Sequence, residues 1–212
     1  MFDIEYKGGN TVVISTKKAS VVFDPKLSIL GLKDAGNKDD IQAATETRFA
    51  LPADTFKLSL DSPGEYETAD IALRGVAARR HIDAEGSVPA STMYQFEIGT
   101  IKGVVIGNID AKLDDDQLEA IGVVDIVIIP VGGGGYTLDA TAAASLVRKL
   151  EPKAVIPVHY ADDALSYEVP QDTLETFTSE LGAPVEESVS KYRIKAVASL
   201  PQVLTVVPLT RS

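Results

Sequence analysis

The strongest constraint on the fold is a pair of continuous apolar runs, VDIVIIPV (Val124 to Val131) and AVIPV (Ala154 to Val158), separated by one helical pattern. A strand with no polar alternation must be covered on both faces. Two such strands joined through a helix read as a crossover unit inside a layered α/β fold. The helix between them, over LDATAAASLVRKLEP, has Asp139 or Thr141 near its start and Pro152 after it. Val124, Ile126, Ile128, Val155 and Ile156 are therefore expected in the core.

The remaining pattern adds strands on one side and helices on the other. FDIEY, TVVIS and SVVFDP are short strands separated by Gly-Gly-Asn and Thr-Lys-Lys turns, and FKLSL, IALRGVAA, STMYQFEIG and IKGVVIG extend the series. Leu27 to Asn37 reads as a loop, and Asp39 to Ala50 as a short helix. DDDQLEAIG is a second helix, N-capped by Asp114 and closed by Gly122, and Pro170 to Leu181 is another. YRIKAVAS and VLTVV finish the chain as strands. No repeat or linker interrupts the 212 residues, so the chain is expected to be one domain over residues 1–212.

Composition removes several function classes. With no cysteine, disulfides, thiolate metal sites and a cysteine nucleophile are excluded. The net charge of −11 opposes nucleic acid and anionic lipid. The one basic stretch, KYRIK, alternates Lys191, Arg193 and Lys195 on one face of a strand, which reads as a solvated face. No apolar run is long enough to span a membrane and no leader pattern opens the chain, so a cytoplasmic location is expected.

Chemistry is expected at strand ends. VVIGNID closes on Asn108 and Asp110, and VIPVHY closes on His159, where loops on a rigid base present polar groups. The glycines Gly132 to Gly135 precede a helix, but no Walker Lys-Ser/Thr or GxGxxG follows and Asp139 is anionic, so a nucleotide loop is disfavoured.

These landmarks together resemble the metallo-β-lactamase-fold hydrolases, in the branch related to ascorbate-6-phosphate lactonases and small zinc-dependent hydrolases. The resemblance is carried by FDP (Phe23 to Pro25), SPGEYE, GNID, PVGGGG and IPVHY, in that order. It implies a four-layer αββα sandwich, and for such a family a zinc centre. The family's His-X-His-X-Asp-His falls on Glu46, Arg48, Ala50 and Leu51 here, and its early Gly-His on Gly8-Gly9. Its Gly-Asp falls on Gly107-Asn108, and its middle histidine on Arg80 or, shifted by one, His81. Only His159 and Asp24, the latter a brace behind the ligands, match cleanly.

Zinc needs three or four His, Cys or carboxylate ligands, and the chain has two histidines. The expectation is therefore a pseudoenzyme without cofactor, its vestigial pocket formed by Glu46, Arg48, Arg80, His81, Asn108, Asp110 and His159. An Arg48–Glu46 or other Arg48–carboxylate pair would replace the cation. The pocket would then bind an unidentified small molecule or protein. The alternative is a divergent hydrolase of a phosphate or lactone-like ester, with zinc or manganese on His81, Asp110 and His159. A third reading is a structural homo-oligomer with a vestigial pocket.

Overall fold

The computed structural model describes residues 1–84 and 87–212. Two sheets face each other. The first has the order β12-β1-β2-β3-β4-β5 and the second β13-β11-β10-β9-β8-β7-β6. The strands of the first are β1 (Phe2–Gly8), β2 (Thr11–Ser15), β3 (Ser20–Phe23), β4 (Ile41–Ala43), β5 (Leu58–Leu60) and β12 (Tyr192–Ile194). Those of the second are β6 (Gly64–Thr68), β7 (Ile71–Ala78), β8 (Ser91–Ile98), β9 (Ile101–Val105), β10 (Ile126–Pro130), β11 (Ala154–Val158) and β13 (Thr205–Val206). Three helices complete the described chain: α1 (Asp115–Ile121), α2 (Ala140–Leu150) and α3 (Leu174–Leu181).

Strand alternation explains the inner layer. Phe2, Ile4 and Tyr6 of β1 point into the sandwich while Asp3, Glu5 and Lys7 point out. Across the core Phe2 meets Phe96 edge-on at 6.2 Å, and Phe23 meets Tyr94 at 6.0 Å. On the far side of the second sheet, Val127, Ile129 and Val155 pack against Ala143, Ala144 and Val147 of α2 and Phe177 of α3. All five expected core residues, Val124, Ile126, Ile128, Val155 and Ile156, are buried. The result is the expected α/β sandwich. Its layer over the first sheet is reduced to a 3-10 turn at Leu27–Leu30 and the loop through Asn37, beside outward-facing Val13, Ser15 and Val22.

Strand β1 takes its outer neighbour from the far end of the chain. Phe2, Asp3 and Ile4 pair with Ile194, Arg193 and Tyr192 of β12. Two of the three cations of KYRIK pair there: Arg193 donates to Asp3 at 2.9 and 3.1 Å, and Lys191 reaches Glu5 at 2.8 Å.

Three local expectations are corrected. Asp39 to Ala50 is not a helix: Ile41–Ala43 adds a strand parallel to both β3 and β5, and a 3-10 turn follows at Thr47–Phe49. The last helix begins at Leu174, capped by Thr173, rather than at Pro170, because Asp172 bonds back to Gly132 and Ala161 through its main chain. YRIKAVAS keeps only Tyr192–Ile194 as strand before turning. Six of the eleven strand pairings are antiparallel, and β3-β4-β5 and β9-β10-β11-β13 run parallel.

Candidate functional site

Four strand ends converge at one edge of the sandwich. The β1–β2 turn supplies Asn10, β3 ends at Asp24, the segment after β4 carries Thr45 and Glu46, and β11 ends at His159. Asp24 and His159 both sit at left-handed φ values, +49° and +52°, a conformation that costs energy for residues with a side chain. Each is held there by its bonds. The Asp24 carboxylate accepts from the Thr45 amide at 2.6 Å and hydroxyl at 2.7 Å, and the His159 amide donates to the Gly9 carbonyl at 2.8 Å. Gly107 must be glycine, because its φ is +68° and a Cβ would lie 2.7 Å from Thr45.

The buried side chains form one continuous relay. Arg80 donates to Glu46 Oε2 at 3.4 Å and is itself clamped by Asp83 at 2.7 and 3.0 Å. Asn108 Nδ2 donates to Glu46 Oε1 at 3.2 Å, Asn10 Nδ2 donates to Asn108 Oδ1 at 2.9 Å, and Asn10 Oδ1 lies 2.9 Å from His159 Nδ1. The polarity follows from its charged end. An ionised Glu46 only accepts, so Asn108 presents its NH₂ there and its oxygen to Asn10. Asn10 in turn leaves an oxygen for His159, which fixes Nδ1 as the protonated nitrogen and Nε2 as the free acceptor.

Electrostatics agree with that assignment. Burial, with Arg48 nearby, holds His159 down at about 4 from 6.5, so the ring is neutral. Burial pushes Glu46 up, and Arg48, Asn108 and Arg80 pull it back. Asp24 is raised to about 7, by burial first, against the Thr45 hydrogen bonds.

Of the residues singled out from sequence, Glu46, Arg80, Asn108 and His159 are joined by the relay, and Asp24 braces it from behind. Arg48 lines a cavity of about 30 Å³ together with Asn108, Tyr136, His159, Tyr167 and Gln171. Of the two pairings expected for Arg48, that with Glu46 is not formed and that with another carboxylate is: Arg48 pairs with Glu168 at 3.4 Å, and the cation bonded to Glu46 is Arg80. His81 is exposed on a turn, and Asp110 pairs with Arg79 at 3.9 Å beside Lys112 in a neighbouring cleft. Ala50 and Leu51 contribute no polar group, and the Leu51 amide bonds to Gln42. The residue that sequence reasoning missed is Asn10. It stands next to the Gly8-Gly9 pair matched to the early Gly-His, and a polar side chain ending the Gly-Gly turn was the available signal.

The donors of this set are engaged with one another. Both ends of Asn10 and Asn108 and both oxygens of Glu46 are spent within the relay, which leaves His159 Nε2 as one nitrogen ligand. Among the described residues, no three His, Cys, Asp or Glu side chains are grouped to hold a metal ion, so His81, Asp110 and His159 are not brought together. Nor is any described helix long and apolar enough to cross a membrane.

The architecture has known counterparts. It is similar to a Thermotoga maritima protein described as a zinc-dependent hydrolase of the metallo-β-lactamase superfamily, with 20% identity over 99% of each chain and a TM-score of 0.77. It is also similar to a protein of Parabacteroides distasonis described as a metal-dependent hydrolase, at 15% identity over 99% of this chain and 94% of that one, with a TM-score of 0.63. A metallo hydrolase of the archaeon Ignicoccus hospitalis shares 14% identity over 85% of this chain and 90% of its own, with a TM-score of 0.61. These likenesses establish the fold. No curated protein matches the chain. Residues 3–159 match the family described as the beta-lactamase superfamily domain, and the chain belongs to that family, built on the metallo-β-lactamase fold.

Proposed function

We propose that this chain is a non-catalytic member of its superfamily, in which a hydrogen-bond relay has taken the place of the metal ligands and the cleft is kept for binding. The observation that carries this reading is the continuous path Arg80–Glu46–Asn108–Asn10–His159. In such a path the positive charge is a fixed guanidinium at one end, and two neutral amides fill the middle. Inserting a divalent cation would require breaking these buried bonds, each about 1 kcal/mol net and more where a charge is involved. It would also bring the cation close to Arg48 and Arg80.

Elemental analysis after incubation with zinc or manganese and dialysis tests the reading. The expected result is no stoichiometric metal, with no turnover of phosphodiester, lactone or thioester substrates above buffer. Stoichiometric metal, accompanied by turnover that a chelator removes, overturns it. The descriptions of the similar structures as zinc-dependent and metal-dependent hydrolases favour a second reading, a divergent metal-dependent hydrolase. That reading requires His81 to leave its surface turn and Asp110 to leave Arg79.

A further inference from the structure

We propose that the cleft binds a small hydroxycarboxylate, whose carboxylate takes the place of Glu168 on Arg48 and whose hydroxyl donates to His159 Nε2. The proposal rests on the non-catalytic reading above and names the ligand class of that same cleft.

Arg48 is prepared for such an exchange. Its guanidinium lies 5.0 Å from the Phe49 ring centre and 5.8 Å from that of Tyr136, so two aromatic faces hold its plane. Among the described residues its hydrogen-bond acceptor is one oxygen of Glu168, at 3.4 Å. A guanidinium offers five donors in a fork that suits a carboxylate taken two oxygens at a time, so one long bond leaves most of that capacity unused. The Glu168 side chain is 57% exposed, and such a pair contributes little in water. Glu168 can therefore swing into solvent, and the incoming carboxylate replaces it charge for charge.

The second half of the ligand is set by His159. Its ring is buried, stacked at 5.0 Å on Tyr167, and committed through Nδ1 to Asn10. Its Nε2 has no hydrogen-bond partner among the described residues. A neutral acceptor facing the cavity calls for a donor and disfavours an anion at the same spot. The cavity beside it, about 30 Å³, has room for a water molecule or a hydroxyl group. Gln171, which lines the same cavity, has a buried carbonyl oxygen without a partner among the described residues. A donor at His159 and an anion at Arg48, both lining one cavity, describe a small hydroxy acid, of which glycolate is the smallest.

The chain's two histidines make the test direct. Nitrogen NMR of the ¹⁵N-histidine-labelled protein follows His159, with exposed His81 as internal reference, while glycolate is added. The expected result is a saturable shift of the His159 Nε2 resonance with His81 unmoved. Acetate, which lacks the hydroxyl, should bind at least tenfold more weakly, and methyl glycolate, which lacks the charge, should not bind. Glu168→Gln should tighten glycolate binding severalfold by removing the competing carboxylate, and Arg48→Gln should abolish it. Equal binding of acetate and glycolate, weaker binding by Glu168→Gln, or no His159 shift in either protein overturns the proposal. Metal measured on the same samples before titration decides the non-catalytic reading independently of whether glycolate binds.

Discussion

Asn10 and His159 lie 149 residues apart in the chain and meet through a 2.9 Å hydrogen bond inside the cleft. That bond joins the first hairpin of one sheet to the end of β11 in the other. It also hands the orientation of Glu46, through two amides, to the histidine ring. One amide thus sets both the packing of the cleft edge and the protonated nitrogen of His159.

Replacing Asn10 with alanine should therefore be costly. It leaves Asn108 Oδ1 and His159 Nδ1 buried without partners, each worth about 1–3 kcal/mol. A loss of roughly 3 kcal/mol corresponds to a fall in Tm of about 6–12 °C for a domain of this size. Differential scanning calorimetry reads the change directly, and a fall below 2 °C would mean that the relay contributes little to stability.

The pH dependence has two opposing parts. Below pH 6.5 the unfolded chain takes up a proton at His159 that the folded chain refuses until about pH 4, so this group makes stability fall as pH drops through that window. Asp24 acts in the other direction. Its folded value of about 7 against 3.8 stabilises fully below 3.8, and that contribution is lost as pH rises towards 7. Each slope is about 1.4 kcal/mol per pH unit, so between pH 4 and 6.5 they largely cancel. Asp24→Asn should expose a steep acid loss in urea midpoints that the wild-type protein lacks. His159→Gln should give the reverse, a decline from pH 4 towards 7. Parallel curves for all three proteins would refute the pairing.

Helix α2 depends on its cap. The Asp139 carboxylate accepts from the Ala142 amide at 2.7 Å, so Asp139→Ala should cost about 1 kcal/mol. Asparagine at the same position, which can also accept, should recover most of it in the same urea titration.

At Gly103 the neighbouring strand's aromatic ring leaves no room. A Cβ there would lie 2.2 Å from Phe96, a ring with no exposure, and Gly103→Ala should destabilise by about 1–3 kcal/mol. The double variant Gly103→Ala with Phe96→Leu should be less destabilised than the sum of the two single changes, because the ring that clashes is gone.

How legible each part was depended on whether its cause was local. The apolar runs of β10 and β11 announce burial by themselves, and α1 carries its own start and stop in Asp114 and Gly122. Strand β4 does not: Ile41, Gln42 and Ala43 become a strand because β3 and β5 offer parallel edges on either side. The late start of α3 likewise depends on Gly132, distant in sequence. In the cleft, spacing against the family pattern found Glu46, Arg80, Asn108 and His159. It did not single out Asn10, and it left open which carboxylate would pair with Arg48: the partner is Glu168, in a loop with no pattern of its own.

The pairing of β1 with β12 has a consequence in time. As the chain leaves the ribosome, β1 can join β2 almost at once through a short turn, but its other edge stays open until residues near 192 emerge. Throughout that interval the row of free amides along β1 is an invitation to any other nascent strand. The alternating charges of Asp3, Glu5 and Lys7 stand along that edge before Lys191 and Arg193 arrive to meet them. The same residues that later lock the edge strand in register thus serve first as guards against the wrong partner.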